Sequence, residues 1–395
     1  MTEVRVLEDT LVLEMGTFIT GPYAGMLLAD LGAEVIKIER PGTGDPFRSF
    51  EGGLYSPHFQ AYNRNKKSLT LDLAGEEGRE VFEKLIRRAD VFIENFRPGV
   101  TEKLGIGESR LRSINERLVY CSVTGFGEDG PYRHRPSYDT VGQGLSGLLS
   151  LLMDPEDPGM RMVGPAFSDG LTGLYACYGI LGALVERERA GVGRRVEATM
   201  LESALSFLTE PFNSYFATGR VPGPYTRPAV SQAYAFACED GLSFAVHISS
   251  PEKFWRALIS AAGREDLDED PRFDSRHRRL ENYRDLQDEL ARTFGARPRE
   301  YWLRRLEEHD VPFTPVYKID DVLEDPQVRH MGSIYEQDHP TEGRLRGVKR
   351  PILYDGVRED DVAPPPFLGE HTDEILAGMG YSREQIESLR DSATV

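Results

Sequence analysis

The segment LVLEMGTFITGPYAGMLLADLGAEVIKIERP, residues 11–41, predicts the fold class of this chain. Its apolar start is typical of a strand, the glycine-containing stretch that follows is typical of a turn, and the residues from about Pro22 to Leu31 predict a helix. EVIKIE, residues 34–39, predicts a second strand. Proline in the first helical turn and Gly32 just beyond the last one agree with these bounds. The segment is therefore expected to form a βαβ unit.

Strands and helices continue to alternate as far as about residue 212. In chain order we expect a strand in SLTLDL (68–73), a helix in EEGREVFEKLIRRA (76–89), a strand in DVFIENF (90–96), a helix near 108–116, a strand in LVYCSVTGF (118–126), a helix over Gly170–Arg189, and a strand and helix in GVGRRVEATMLESALSFLTEPF (191–212). Such alternation predicts a doubly wound, mostly parallel, Rossmann-like α/β sheet that binds ligands at the carboxyl ends of its strands. Those ends lie at 15–21, 39–41, 95–98 and 124–130.

A change of composition marks the expected domain boundary. ATGRVPGPYTRPAV, residues 217–230, is rich in glycine and proline, and a hairpin-like stretch at 233–248 and charged helices follow it. We therefore predict a large ligand-binding α/β domain over 1–222, a smaller α+β domain over 223–330, and a C-terminal segment over 331–395.

Charge and cysteine content restrict the class of protein. The formal net charge of −18 opposes binding to nucleic acids or to anionic membrane surfaces. The three cysteines form no CxxC pair, which favours free thiols in a reducing cytoplasm. Neither a signal peptide nor a membrane span is predicted, and the eight histidines show no metal-binding spacing, so we expect no metal site.

Basic residues gather at the predicted strand ends. They are Arg40, Arg64, Lys66, Lys67, Arg97, Arg133 and Arg135. Each alone is typical of solvated surface charge, but together at the ligand edge of an acidic protein they favour a phosphorylated ligand. A dinucleotide is a weaker alternative, because Gly16, Gly21 and Gly25 do not form GxGxxG.

Asp169 stands at the start of the apolar helix predicted in VGPAFSDGLTGLYACYGILGAL, residues 163–184. The simplest interpretation is a helix N-cap, since an aspartate there satisfies free backbone N–H groups. The small neighbours Ser168 and Gly170 would also let a ligand carbonyl approach, which a cap does not require. Pattern alone leaves both roles open.

Nine motifs in order resemble the family III CoA-transferases, the group that contains formyl-CoA and carnitine CoA-transferases and α-methylacyl-CoA racemases. They are GPYAGMLLADLGAEVIKIERPGTGD, NRNKKSLTLDL, ADVFIENFRPGVTEKLG, YCSVTGFGEDGPYRHRPSYDTVGQGLSG, FSDGLTGLYACYGILGAL, GVGRRVEATMLES, EDPRF, HDVPFTPVYKIDDVLEDPQ and FLGEHTDEIL. The resemblance spans nearly the whole chain. It implies an interlocked homodimer and a C-terminal segment that returns to the large domain.

The resemblance also implies roles for single residues. Asp169 falls on the family's nucleophilic aspartate, which attacks an acyl-CoA thioester, gives a mixed anhydride and then becomes an enzyme-CoA thioester. The implied CoA contacts are Arg40, Asn95, Phe96, Arg97, Lys103, Tyr138 and Met200. CoA and acyl-CoA would be substrates, and no tightly bound cofactor is expected.

Departures from the family pattern favour transfer of CoA over racemisation. Racemases carry Gly-His-Asp where this chain has Ser137, Tyr138 and Asp139, so an imidazole base is missing. Formyl-CoA transferases carry consecutive glycines where FACEDGLSFAVHISSPEKF, residues 236–254, has one. Candidate contacts to the acyl group in that region are Tyr234, His247 and Ser249.

We therefore expect a cytoplasmic, homodimeric CoA-transferase that acts on acyl-CoA and carboxylic acids. An acyl-CoA racemase or epimerase is the alternative within the family. A dinucleotide-dependent oxidoreductase and a non-catalytic acyl-CoA-binding protein are the alternatives outside it.

Overall fold

The protein is described by a computed structural model that covers residues 5–154, 156, 162, 164–249, 252–358 and 362–395. Within these residues there are eleven strands: β1 (Leu11–Glu14), β2 (Glu34–Glu39), β3 (Lys66–Thr70), β4 (Val91–Glu94), β5 (Val119–Thr124), β6 (Arg195–Thr199), β7 (Ala233–Ala237), β8 (Ser243–His247), β9 (Phe313–Val316), β10 (Ile334–His339) and β11 (Gly343–Val348).

The same residues form nineteen α-helices: α1 (Thr20–Ala29), α2 (Pro57–Gln60), α3 (Glu76–Ile86), α4 (Val100–Lys103), α5 (Glu108–Ile114), α6 (Asp139–Ser146), α7 (Leu148–Leu152), α8 (Phe167–Ala190), α9 (Met200–Phe207), α10 (Thr209–Thr218), α11 (Thr226–Ser231), α12 (Lys253–Ala262), α13 (Arg276–Glu281), α14 (Tyr283–Phe294), α15 (Arg299–Glu308), α16 (Ile319–Val322), α17 (Pro326–Met331), α18 (Thr372–Gly378) and α19 (Arg383–Asp391). Two short 3₁₀ helices span Pro46–Ser49 and Glu265–Asp268.

The chain divides into two compact units. One comprises Met1–Leu149, Met162–Thr209 and Ser333–Val395, and the other comprises Ser150–Arg161 and Glu210–Gly332. The domain boundaries expected from the sequence, at 222/223 and 330/331, stay predictions.

The first unit is built on a six-stranded parallel sheet. Its strand order is β3-β2-β1-β4-β5-β6, so the chain runs outward from β1 on one side and from β4 on the other. In β1, Val12 and Leu13 pack into hydrophobic clusters on opposite faces of the sheet, as expected for strands covered on both sides. The α/β prediction with a parallel sheet is confirmed. The strand order reverses between β1 and β4, which is where open sheets of this kind form a ligand crevice.

The second unit contains the antiparallel sheet β7-β8-β9 packed against helices. The hairpin predicted at 233–248 is present as β7 and β8, with Ala233 opposite His247. Aromatic residues dominate its core, including the buried Trp255, Phe273 and Phe294.

The state of the cysteines and the apolar character of the helices complete the description of the fold. Cys121, Cys177 and Cys238 are buried and unbridged. Among the described residues, no helix combines the length and the apolar character needed to cross a bilayer.

Candidate active site

A cavity of about 180 Å³ opens at the carboxyl end of the parallel sheet, beside the strand-order reversal. It is bordered by the loops that follow β1, β4 and β5, by the segment before α6, and by the first residues of α8 and α9. Its lining residues are Thr17, Phe18, Ile19, Thr20, Asn95, Phe96, Arg97, Pro98, Val123, Thr124, Gly125, Phe126, Arg133, Arg135, Ser137, Tyr138, Asp169 and Met200.

Asp169 is the only carboxylate among the described residues that line this cavity. It is the third residue of α8 and is half-buried, and no described residue donates a hydrogen bond to its side chain. Burial raises the pKa of Asp169 to about 7, and the charge of Asp139 contributes in the same direction. A substantial fraction of the carboxyl is therefore ionised near neutral pH, and no described residue stabilises its charge by a hydrogen bond, which favours reaction with an electrophile.

The N-terminus of α8 is capped by Asp139 rather than by Asp169. Asp139 Oδ1 accepts hydrogen bonds from the backbone N–H groups of Ser168 (2.8 Å) and Asp169 (3.3 Å). A β-carbon at Gly142 would collide with the Ser168 hydroxyl, so glycine allows α6 to lie against the first turn of α8. The capping role that the sequence suggested for Asp169 is wrong, because the helix begins at Phe167 and a second carboxylate already occupies its free donors.

An aromatic group flanks the mouth of the cavity. Phe18 lies edge-on to Phe47 (5.2 Å between ring centroids) and to Tyr138 (6.0 Å). Its φ of 63° is a conformation that bulky residues rarely adopt, and its N–H donates to Asp45 Oδ1 (3.1 Å). Strained residues of this kind concentrate at functional sites, which agrees with the position of Phe18 beside Asp169.

The side chain of Asn95 ties two loops together. Its Oδ1 accepts from the Thr17 N–H (2.9 Å), and its Nδ2 donates to the Thr17 carbonyl (2.8 Å) and to Thr20 Oγ1 (2.9 Å). Because this amide is fully used inside the protein, a ligand at this loop would meet mainly backbone groups and the neighbouring side chains of Phe96 and Arg97.

Three arginines give the cavity its positive charge. Arg97, Arg133 and Arg135 are exposed and have no carboxylate partner among the described residues, and the Arg135 guanidinium lies 3.8 Å from the Tyr132 ring centroid. In a protein with a net charge of −18, unpaired arginines around one cavity indicate a site for an anion.

A second cavity, of about 400 Å³, lies over β2 and β3. Arg40 lines it together with the apolar residues Leu71, Leu73 and Phe96, and Phe96 also lines the first cavity. Three carboxylates line this cavity: Glu39 and Asp45 are neutralised by Arg48 and Lys37, and Asp72 accepts the Ala74 N–H. With Arg40 as its cationic contact, an extended anionic ligand could occupy both cavities past Phe96.

Other basic residues expected at the ligand edge are engaged elsewhere. Arg64 pairs with Asp30, the buried Lys66 with Glu14, and Lys67 with Glu34 and Glu374. Their expected contribution to a phosphate site is wrong, because β3 begins at Lys66 and directs these side chains into structural ion pairs. Lys103 lies in α4 and lines neither cavity.

The candidate residues of the second unit have different environments. Tyr234 is 3% exposed and stacks on Tyr283 at 4.7 Å, within the core. His247 Nε2 and Ser249 Oγ, which are exposed, lie 2.9 Å apart and hydrogen-bond to each other. Packing therefore accounts for Tyr234, while His247 and Ser249 stay candidate contacts.

Sequence reasoning missed Asp139, Phe18 and Glu94. Asp139 had a signal, since an aspartate in the first turn of a helix is a candidate cap, but it caps a helix that begins 28 residues later in the sequence. The positive φ of Phe18 and the burial of Glu94 have no such local signal. Within the described residues, no group of three or more His, Cys, Asp or Glu side chains is arranged to hold a metal ion.

Comparison with known proteins connects this site to a family. The family model described as CoA-transferase family III matches residues 7–372. Succinyl-CoA:glutarate CoA-transferase of Mus musculus is 31% identical over 398 residues, which cover 99% of this chain and 91% of the mouse protein. Acetyl-CoA:oxalate CoA-transferase of Acetobacter aceti is 35% identical over 333 residues, covering 81% of this chain and 83% of that protein.

A solved structure has the same fold. The CAIB/BAIF family protein from Brucella suis is 32% identical and superposes with a TM-score of 0.83, covering 95% of this chain and 100% of that one. The resemblance inferred from the nine motifs is thereby confirmed.

Proposed function

The chain belongs to CoA-transferase family III and is a CoA-transferase, and from that premise we propose that Asp169 carries CoA between two carboxylic acids as a covalent intermediate. The observation that supports this role best is the environment of Asp169. It is the sole carboxylate lining the described part of the cavity, it lacks hydrogen-bond donors, and burial raises its pKa to about 7.

The proposed reaction has four balanced steps. The Asp169 carboxylate attacks the thioester carbonyl, the C–S bond breaks, and a mixed anhydride and a CoA thiolate form. The thiolate attacks the aspartyl carbonyl and releases the donor acid as its carboxylate, which leaves Asp169 as a CoA thioester. The acceptor carboxylate attacks this thioester and expels the thiolate, and the thiolate then attacks the new acyl carbonyl to give product and free Asp169.

Each tetrahedral oxyanion needs hydrogen-bond donors, and α8 supplies fewer than a free helix N-terminus would. The Ser168 and Asp169 N–H groups donate to Asp139, and the Gly170 N–H donates to the Ala166 carbonyl at 2.9 Å. The donors must therefore come from other elements around the cavity or from the substrates.

CoA is proposed to span both cavities. Arg40 suits the nucleotide phosphates beside an apolar surface for the base, and Arg97 suits the pyrophosphate, with Asn95 and the ring of Phe96 beside it, since the Phe96 N–H donates to Glu94 Oε2. Tyr138 and Met200 line the cavity of Asp169 and would contact the pantetheine or acyl portion, whereas Lys103 would require a longer reach from α4. No step of this reaction uses a tightly bound cofactor.

A dicarboxylic acid is the proposed acceptor and succinyl-CoA the proposed donor. Two relatives carry the names of glutarate and oxalate transferases, and one of them names succinyl-CoA. The unpaired guanidinium groups of Arg133 and Arg135 support a substrate that keeps a second, free carboxylate. A panel of acids offered with succinyl-CoA, with products identified by mass spectrometry, tests this assignment.

Racemisation has less support. No histidine lines the described cavity of Asp169, and position 138 is a tyrosine whose ring is 62% exposed. A racemase needs a base and an acid at the α-carbon, and the cavity offers one carboxylate. Exchange of the α-proton with solvent deuterium without CoA transfer would contradict the transferase proposal.

We also propose that the protein is a homodimer. α8 exposes Leu174 (52%), Tyr178 (74%) and Val185 (60%), and α10 has no buried residue and exposes Phe216 (73%). Apolar surface on this scale is typical of an interface, and a second copy fits the dimer that the family resemblance implies. Light scattering should give twice the chain mass, and Tyr178→Glu should lower that dimer fraction; a monomer at assay concentration would contradict the proposal. The cytoplasmic location stays a prediction.

A trapping experiment tests the covalent intermediate. After incubation with succinyl-CoA, borohydride should reduce the aspartyl-CoA thioester and convert Asp169 to homoserine, and hydroxylamine should give the hydroxamate at the same residue. Asp169→Asn should abolish both products and turnover, while the exposed Asp129→Asn should retain both. Turnover with no modification at position 169 would refute the proposed mechanism.

A further inference from the structure

Glu94 is a buried carboxylate at the end of β4, directly before the Asn95–Arg97 loop. Glu94 is 3% exposed, and it lies opposite Ser122 of β5 in the sheet register. It does not line either cavity, so it cannot contact the reacting atoms directly.

The surroundings of Glu94 differ from those of the carboxylates that end the neighbouring strands. Glu14 of β1 is paired with Lys37 and Lys66, and Glu39 of β2 is paired with Arg48. Glu94 has no cation within ion-pair distance among the described residues, and the groups that face it include Glu128, Glu102 and Tyr120. An unpaired buried carboxylate is costly, so its retention indicates a role that an apolar side chain cannot fill.

That role is visible in its hydrogen bonds. Glu94 Oε2 accepts the backbone N–H of Phe96 at 2.8 Å. The Ser122 hydroxyl, which lies opposite Glu94 in the sheet, donates its one hydrogen to Glu128 Oε1 at 3.0 Å. Phe96 lies beyond the last residue of β4, so its N–H takes no part in the hydrogen bonds between strands. The Glu94 side chain accepts this N–H instead and thereby fixes the first bend of the loop.

The loop is therefore held from both sides. The Asn95 side chain fastens it to the loop after β1, and Glu94 supports it from beneath. Phe96, whose N–H is held in this way, and Thr17, to which Asn95 is fastened, both line the two cavities. A shift of this bend would change the two cavities together.

We propose that Glu94 is a positioning residue for CoA: its carboxylate oxygen holds the Phe96 N–H and thereby keeps the Asn95–Arg97 loop in the conformation that receives the CoA phosphates. The inference rests on the proposed contact between this loop and CoA. According to this inference, CoA binding requires a hydrogen-bond acceptor at the position of the Glu94 carboxylate and does not require its negative charge. A negative charge there would by itself oppose a polyanionic ligand.

Two substitutions of Glu94 distinguish the effect of its side-chain length from the effect of its charge. Glu94→Asp keeps the charge but withdraws the carboxylate by one methylene from the Phe96 N–H. Glu94→Gln removes the charge but keeps an acceptor oxygen at the same reach, and its amide can donate to Ser122. Glu102→Gln is the matched control, because it removes a neighbouring charge without touching the Phe96 hydrogen bond.

Binding of free CoA is measured by calorimetry, and KM and kcat are measured with succinyl-CoA. Glu94→Asp should weaken CoA binding and raise KM by about ten-fold, the scale set by one buried N–H left without an acceptor, with kcat changed less than about two-fold. Glu94→Gln should restore most of the affinity that Glu94→Asp loses, and Glu102→Gln should bind CoA as the unmodified protein does.

Hydrogen–deuterium exchange of the peptide around residues 91–104 gives a readout that needs no ligand. Exchange at Phe96 should be faster in Glu94→Asp than in Glu94→Gln. Equal loss of affinity in both variants, or normal affinity in Glu94→Asp despite faster exchange, would overturn the inference. Failure of the unmodified protein to bind CoA would instead contradict the proposed function.

Discussion

Replacing Asp169 by asparagine is expected to abolish transfer and, at pH 8, to make the protein more stable. Burial raises the pKa of the Asp169 carboxyl from 3.8 to about 7, which means that ionisation is unfavourable in the folded state. Asparagine keeps the shape of the side chain and cannot ionise, so the cost of the buried charge disappears together with the nucleophile.

The magnitude follows from the shift in pKa. One pKa unit corresponds to about 1.4 kcal/mol, so a rise from 3.8 to about 7 limits the gain in the free energy of unfolding to about 4 kcal/mol. Because Asp169 is partly exposed to solvent, the expected gain is about 2–4 kcal/mol. The folded state binds the proton more tightly than the unfolded state. Its stabilisation is therefore complete below about pH 4 and is lost as the pH rises through about 7.

The assay is thermal unfolding of Asp169→Asn and of the unmodified protein at pH 5 and pH 8, with Asp129→Asn as the matched control. The difference in Tm should be on the order of 5 °C at pH 8 and roughly 40% of that at pH 5, and the control should show no such dependence. An equal difference at both pH values, or an asparagine variant that is less stable at pH 8, would refute the argument that Asp169 is a strained, buried charge.

Three further predictions concern the same site. Because the carboxylate is the reactive form, kcat/KM for transfer should rise about ten-fold per pH unit below 7 and level off above it; a flat profile between pH 5 and 8 would contradict a pKa of about 7 for Asp169. Asp139→Asn removes a neighbouring negative charge but keeps an acceptor for the α8 cap, so the midpoint of that profile should move to lower pH, whereas Asp139→Ala should also lose about 1 kcal/mol of unfolding free energy, measured by urea denaturation. Arg40→Ala should raise KM for succinyl-CoA by about ten-fold with little change in kcat, and the exposed Arg189→Ala should change neither; a kcat effect without a KM effect would exclude a binding role for Arg40.

Local sequence patterns are sufficient to predict the parallel sheet. EVIKIE becomes β2 with the predicted bounds, Glu34–Glu39. Val35 and Ile36 pack into clusters on opposite faces of the sheet, which is typical of strands in a parallel sheet covered on both sides. The start of α8 was expected three residues too late, since its cap comes from Asp139, and no local pattern at Asp169 reports a partner 30 residues away.

Because a sequence pattern reports only local structure, it also limits which site residues can be predicted. Arg40, Asn95, Phe96, Arg97, Tyr138 and Met200, which the family resemblance implied, all line one or both of the two cavities. Arg40 follows β2 and the Asn95–Arg97 loop follows β4, and strand ends in a parallel sheet meet at one edge. Lys66 also stands next to a strand end, but it is the first residue of β3 and lies at the opposite end of that strand, where the buried Glu14 neutralises it. Sequence order gives the element to which a residue belongs, whereas the pairing of buried charges depends on tertiary contacts.

The two aspartates at the start of α8 divide tasks that a single carboxylate could not perform together. If Asp169 capped its own helix, N–H donors would stabilise its charge, lower its pKa and weaken it as a nucleophile. Asp139 instead accepts the hydrogen bonds from the Ser168 and Asp169 N–H groups and adds a like charge beside Asp169. The helix end is thus satisfied while the Asp169 oxygens have no hydrogen-bond donor among the described residues, and the cost appears as an unfavourable ionisation. A gain in stability on Asp169→Asn and a lower profile midpoint on Asp139→Asn are two consequences of that one arrangement.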